Sequence, residues 1–235
     1  MLAELPEALA EAAGLELGRY REAHVRERVR RAIEREQVTG VCGLARCLRA
    51  DPGARGRFRR SVAVSVSGLF RDPEQFELLE RELLPPFIER GGKTRVWSAG
   101  CADGSELYSV GMLLARAGAL ERSFLLGSDL LAENLAAARA GTGFGLNASA
   151  AIRRRLRWEQ RDLLSDGPAP GKWHVVLCRN VAIYFSHEAK EALHGALAAA
   201  LASRGVLLVG RSERINAPHH LGLEPVGPHA YRKVR

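Results

Sequence analysis

Apolar positions recur at helical spacing through roughly the first quarter of the chain, then change period. In RYREAHVRERVRRAIEREQ, residues 19–37, Tyr20, Ala23, Val25, Val29, Ala32 and Ile33 sit near helical spacing with arginine and glutamate between them. VCGLARCLRA continues as a short amphipathic helix, and Asp51-Pro52-Gly53 stops it. Residues 1–60 therefore predict a small, all-helical N-terminal domain with an arginine-rich face. From Ser61, small hydroxyl residues and valines lead to Asp72-Pro73, a helix start with proline in its first turn. The inter-domain linker is placed at 61–72, followed by a helix over roughly 73–90 that is amphipathic through Phe76, Leu79, Leu83 and Leu84 before Pro85-Pro86.

Beyond residue 94 the rhythm is strand, loop, helix. TRVWSAG, SFLLGSD, HVVLCRN and GVLLVG are short apolar runs, and amphipathic stretches starting near Glu106, Ala132 and His187 separate them. The tail, LEPVGPHAYRKV, predicts a hairpin around Gly227-Pro228. Alternation of this kind implies an α/β domain over 73–235, with a mostly parallel sheet covered on both faces and a hairpin at its edge.

Charge and cysteine content narrow the classes. Hydrophobic residues make up 46% and charged residues 26% of the 235, ordinary values for a globular protein that buries a core. Cys42, Cys47, Cys101 and Cys178 form no CxxC pair, so they predict reduced thiols in the cytoplasm and no metal site. No apolar stretch reaches the roughly 20 residues of a membrane helix, and the acidic start MLAELPEALAEAAG lacks the basic region of a secretory signal. The net charge of +8 is concentrated in arginine clusters at 17–35, at 46–60 and at Arg153, Arg154, Arg155, Arg157 and Arg161. Such patches suit an acidic partner, although pairing with local glutamates would explain any one of them equally well.

Ligands of open α/β sheets bind beyond the carboxyl ends of the strands. The first strand runs into a turn bracketed by Gly100 and Gly104, a G-x-x-x-G spacing without phosphate-loop residues. The second ends in Asp129, where a carboxylate can accept from ribose hydroxyls or simply cap the next helix. Together the two features favour a nucleoside cofactor, and the lack of a phosphate cradle points to S-adenosylmethionine over NAD.

VWSAGCADGSELYS resembles the first cofactor motif of the CheR-type chemotaxis receptor methyltransferases. CRNVAIYF is similar to that family's fourth-strand signature, SVSGLFRD to its linker motif and GVLLVGRSE to its fifth-strand motif. All four occur in family order, and the similarity runs from about residue 14 to the end. The resemblance implies a doubly wound, mostly parallel, seven-stranded Rossmann-like methyltransferase sheet behind a helical domain. It also implies S-adenosylmethionine as cofactor, S-adenosylhomocysteine as product, and the glutamate side chains of a chemoreceptor or related signalling protein as acceptor. By the same carry-over, Ser65, Ser67 and Arg71 line the cofactor from the linker, and Glu106 contacts its methionyl part or fixes the loop. Asp129 holds the ribose, Asp162 and Leu163 flank the adenine, and Arg179 with Asn180 closes the pocket. Arg71 and Tyr184 are expected to position the acceptor. A glutamate, with an ordinary pKa of about 4.3, is already ionised and needs no general base.

The chain departs from the family pattern in three places. Ser65 and Ser67 stand where asparagine and threonine are usual, and Arg211 stands where a histidine is common. The third departure concerns a small β-subdomain that many members use to dock on a receptor tail. Only AGTGFGLNASAAIRRRLRWEQRDLLS is available for it, with few β-branched residues and a helical look over Ala148–Arg157. That subdomain is expected to be absent or reduced, leaving the arginine-rich helices to meet the acidic substrate. The competing reading is a catalytically weak S-adenosylmethionine-binding regulator of the same fold. Nucleic-acid methylation ranks below both, because the IYF segment offers neither a catalytic cysteine nor an Asn/Asp-Pro-Pro-aromatic motif.

Overall fold

The computed structural model describes residues 7–64, 68–141 and 149–234. These fall into two compact units, one made of residues up to 64 with Tyr184–Lys190, the other of 68–183 with 191 onwards.

The first unit holds four helices: α1 (Glu7–Ala13), α2 (Glu22–Arg35), α3 (Gly40–Ala50) and α4 (Pro52–Val62). Val25, Val29 and Ala32 of α2 are buried, as the periodicity requires, with Leu9, Leu44, Leu48 and Phe58 as the bulk of the core. Asp51 ends one helix and starts the next. Its backbone N–H donates to Cys47 O, while its side chain accepts from Gly53 N at 2.7 Å and Pro52 takes the first helical position. The segment from Tyr184 joins this unit through Arg21 N to Tyr184 O (2.9 Å) and Ser186 N to Arg19 O (2.8 Å), with Phe185 edge-on to Tyr20.

The second unit is the α/β unit. Its strands are β1 (Thr94–Ala99), β2 (Ser123–Asp129), β3 (Leu156–Gln160), β4 (Trp173–Cys178), β5 (Leu201–Val209), β6 (Leu223–Gly227) and β7 (Ala230–Lys233). They form one sheet in the order β3-β2-β1-β4-β5-β7-β6, with the first five strands parallel and the β6–β7 hairpin antiparallel at one edge. The order reverses between β1 and β4, where open sheets of this kind open a crevice. Helices α5 (Pro73–Leu78), α6 (Pro85–Glu89), α7 (Ser105–Arg116), α8 (Ala132–Ala140), α9 (Ala150–Arg155) and α10 (His187–Ala200) complete the chain. Leu107, Val110, Leu113 and Leu114 of α7 pack in one core with Val96, Leu125, Val175, Leu177, Val206 and Leu208 of the strands.

Two local expectations are corrected. The helix expected over 73–90 is divided by a wide turn in which Leu84 N reaches Leu79 O, and the prolines open α6 because its first turn needs no N–H from them. The helical look of Ala148–Arg157 holds only as far as Arg155. Leu156 then pairs with Leu125, and the register runs on to Gln160 beside Asp129. Leu156 and Trp158 turn inward and Arg157 outward, a two-residue alternation hidden in the sequence by the arginine run. Among the described residues the chain passes from α8 through α9 to β3, and the seven strands make the only sheet. No helix among those residues is long and apolar enough to cross a membrane.

Candidate active site

β1 and β4 deliver the site's side chains from adjacent carboxyl ends. Arg179, directly after β4, is buried and its guanidinium is fully engaged. Nε donates to Gln75 Oε1 (2.7 Å), Nη1 to Glu106 Oε2 (3.0 Å), and Nη2 to Arg71 O (2.5 Å) and Asp72 Oδ2 (2.8 Å). Its charge also lies 5.2 Å from the centre of the Phe76 ring. One arginine thus fastens the segment of Arg71 and Asp72 ahead of α5, and the first turn of α7, to the middle of the sheet. That segment belongs to the α/β unit and not to a linker reaching residue 72. Glu106 is held from its other side by Ser98 Oγ of β1, which donates to Oε1 at 2.7 Å. The turn ahead of α5 is anchored a second time, with Phe70 N donating to Ser109 Oγ at 2.9 Å. Phe70 and Asp72 both take left-handed backbone, a strain that these anchors sustain.

The glycine turn is tied to β2. Asp129 accepts from Ala102 N through Oδ2 (2.9 Å), and from Leu131 N and Asn134 Nδ2 through Oδ1 (both 2.9 Å). Burial pushes this carboxyl above its ordinary pKa, and the three donors oppose the shift. Three of its roughly four acceptor sites are thus occupied, leaving capacity for one further donor on Oδ2. Gly104 has φ +84°, and a Cβ there would stand 2.5 Å from Trp158 Cη2 and 2.9 Å from Ala138 Cβ. Glycine is required on both counts.

Between these ends lies a narrow slot of about 40 Å³, lined by Gly68, Arg71, Gly100, Cys101, Ala102, Glu106, Arg179 and Asn180. Five residues expected from the sequence are therefore brought together: Arg71, Gly100, Glu106, Arg179 and Asn180. Gly104 and Asp129 support the slot from behind through the turn. Asp162 and Leu163 follow β3, where the Asp162 carboxylate accepts from Leu164 N (2.9 Å) and caps its own turn. Tyr184 stands in the helical unit, its ring centre 5.0 Å from that of His24. Ser65 and Ser67 lie outside the described residues.

Glu213 is not among the residues expected from the sequence. This fully buried carboxylate after β5 accepts from Asn180 N (2.6 Å) and Gly210 N (2.7 Å) through Oε2. It holds Asn180 in a left-handed conformation, φ +60°, that asparagine tolerates. A Cβ on Gly210 would fall 2.5 Å from Glu213 Oε2 and 2.6 Å from Asn180 N, so the GRSE segment works as a unit. Its glycine three residues before a glutamate was the available signal. Asp72 and Gln75 were missed for a different reason: their partner is more than 100 residues away. Arg211, in the position often held by histidine, is exposed and lies 3.7 Å from Glu74.

A protein-family model described as CheR methyltransferase, SAM binding domain, matches residues 65–145 and 142–226. The chain belongs to the CheR methyltransferase family. A chemotaxis protein methyltransferase of Listeria monocytogenes is 29% identical over 243 residues, covering 94% of this chain and 92% of that protein. Chemotaxis protein methyltransferase 1 of Pseudomonas aeruginosa is 29% identical over 256 residues with the same coverage of each. Among solved structures, a TehB-like SAM-dependent methyltransferase from Corynebacterium glutamicum gives a TM-score of 0.43 at 14% identity, over 68% of this chain and 93% of that one.

The cofactor of this CheR-family chain is S-adenosylmethionine. The donor set of the slot suits its polar end. Arg71 can meet a carboxylate, the Glu106 carboxylate retains lone pairs for an ammonium, and the Asn180 amide and the Gly100–Ala102 backbone supply neutral hydrogen bonds. When bound, the cofactor supplies an electrophilic methyl group on a sulfonium sulfur.

Proposed function

We propose that this chain methylates glutamate side-chain carboxylates on a chemoreceptor or a related cytoplasmic signalling protein, releasing S-adenosylhomocysteine. One observation carries the choice of acceptor: among the described residues, no side chain lining the slot is placed to take a proton. Glu106 accepts from Ser98 through one oxygen and from Arg179 through the other, and its remaining lone pairs are the ones that meet the cofactor's ammonium. The Cys101 thiol is neutral, pushed well above its ordinary pKa by burial and then by the Asp129 and Glu106 charges. A hydroxyl or amine acceptor would need a base, whereas an ionised carboxylate needs only alignment and the removal of water.

The residues at the slot divide the work. Arg71 serves twice, meeting the cofactor's carboxylate and orienting that of the acceptor. Glu106 and Asn180 hold the methionyl end, and Asp129 takes one ribose hydroxyl while pinning the glycine turn. Arg179 positions Arg71 and Glu106 without touching the reacting atoms. The names of the curated relatives support a chemoreceptor as partner. Of the arginine clusters proposed to meet the substrate, α2 offers fewer free charges than the sequence promised. Arg26, Arg30, Arg31 and Arg35 pair with neighbouring glutamates, while Arg21 and Arg28 form no ion pair among the described residues. Those two are the proposed contacts for an acidic receptor helix.

The test is transfer of labelled methyl from S-adenosylmethionine to receptor cytoplasmic domains. Label released by mild alkali is expected, and alkali-stable label would refute carboxyl methylation. Separately, calorimetry with S-adenosylhomocysteine should show weaker binding to the Asp129→Ala variant; equal affinity would remove Asp129 from the site.

A further inference from the structure

The arginine run at 153–157 has no part in the cofactor slot, yet it leads to a second cavity. This cavity measures about 460 Å³ and is lined by Lys93, Glu121, Arg122, Phe124, Arg155 and Arg157, together with Ser123. Lys93 precedes β1, Glu121 and Arg122 precede β2, and Arg155 and Arg157 flank the start of β3. The cavity therefore opens at the amino ends of the strands, on the edge of the sheet opposite the slot. At about 3.3 Å per residue, the length of β2 separates the two by roughly 20 Å.

Four cations line this space against one carboxylate, and that carboxylate, Glu121, already pairs with Arg155. The remaining three meet only neutral groups. Arg122 donates to Ile88 O (3.0 Å), Arg157 to Arg154 O (2.8 Å) and Leu156 O (3.1 Å), and Lys93 lies 5.2 Å from the centre of the Phe124 ring. Among the described residues none of these three has a carboxylate partner. Most α2 arginines, by contrast, are answered by glutamates three or four positions away. Unneutralised cations facing one concavity focus a positive potential into it. The volume lies within the ~300–1,000 Å³ of small-molecule sites. Arginine forks match phosphate oxygens in geometry as well as charge.

We propose that this cavity is a second ligand site, binding a small polyanion with two or more phosphates, either a nucleotide or inorganic polyphosphate. One concavity lined by four cations fits a compact ligand better than an extended macromolecular surface, across which the charges would be spread.

The test is calorimetry on the full chain saturated with S-adenosylhomocysteine, so that the cofactor slot is already filled. Pyrophosphate and ATP are titrated, with adenosine as the unphosphorylated control. Both phosphates bind and adenosine does not. Tighter binding of ATP identifies a nucleotide site, and equal affinities identify a site for the phosphates alone. The double variant Arg122→Ala, Arg157→Ala weakens phosphate binding by about tenfold or more, while unchanged affinity for S-adenosylhomocysteine reports that it is folded. Glu121→Gln strengthens binding by removing the one opposing charge. The proposal fails if neither phosphate binds at millimolar concentration, or if the double variant binds them as the wild type does. It fails equally if a single-stranded oligonucleotide binds and both small phosphates do not.

Discussion

Arg179 answers two carboxylates, one amide oxygen and one main-chain carbonyl from a buried position, so its removal strands several groups at once. Arg179→Met keeps most of the side-chain volume but leaves Asp72 and Glu106 without their cation. Urea unfolding should show a loss of about 3–5 kcal/mol, as for other buried pairs broken from one side; a loss no larger than that of an exposed pair would contradict the assigned role. A second residue-scale effect belongs to the helical unit. Hydrogen bonds from Arg57 and Arg35 hold the Glu36 carboxyl at about 2, against an ordinary 4.5. Because the folded value is the lower one, the stabilisation is complete above about pH 4.5 and is lost as the pH falls towards 2. Glu36→Gln should therefore lower the urea midpoint at neutral pH, and its gap to wild type should narrow below about pH 4.5. A gap that persists in acid would point to packing instead. Arg71, Glu106, Arg179 and Asn180 were legible in the sequence because contiguous motifs carry them. Glu213 lies in the fifth-strand motif, but its role is not legible there, since its bond to Asn180 is made only when β4 and β5 lie side by side.

The elements were easiest to read where each strand is one apolar run: β1, β2, β4 and β5 fall within a few residues of the runs that predict them. β3 was hidden because an edge strand needs only one inward face, and arginines fill the positions around Leu156 and Trp158. The turn after β1 was legible as glycine-bracketed, but not the reason for Gly104, whose missing Cβ makes room for a tryptophan from that unpredicted strand. Gly104→Ala would combine left-handed strain with overlap against Trp158. A loss of about 1–3 kcal/mol is expected by thermal unfolding, together with weaker binding of S-adenosylhomocysteine. Wild-type stability in this variant would show that the turn can relax around the added methyl.

For the molecule as a whole, the α/β unit followed from strand–helix alternation, whereas the grouping of Tyr184–Lys190 with the helical unit did not. That association depends on main-chain bonds from Arg21 and to Arg19, which leave no trace in side-chain periodicity. The described residues hold one sheet, without a second one between α8 and β3. A peptide copying a chemoreceptor tail should accordingly show no saturable binding by fluorescence anisotropy, and tight binding would overturn this expectation.

The packing of Trp158 into the glycine turn also makes the chain its own optical gauge. Trp97 and Trp173 are fully buried, with ring centres 5.9 Å apart, and the core shields them from events at the slot. Trp158 is half-buried against Tyr108, in space left open by Gly104 and Gly127. Of the three indoles, it alone borders the glycine turn at the slot. Titration with S-adenosylhomocysteine should shift the intrinsic emission of the wild type, and Trp158→Phe should abolish the shift while Trp173→Phe preserves it. The same signal would follow loading and release in real time, without a label, and would not register ligands confined to the far edge of the sheet.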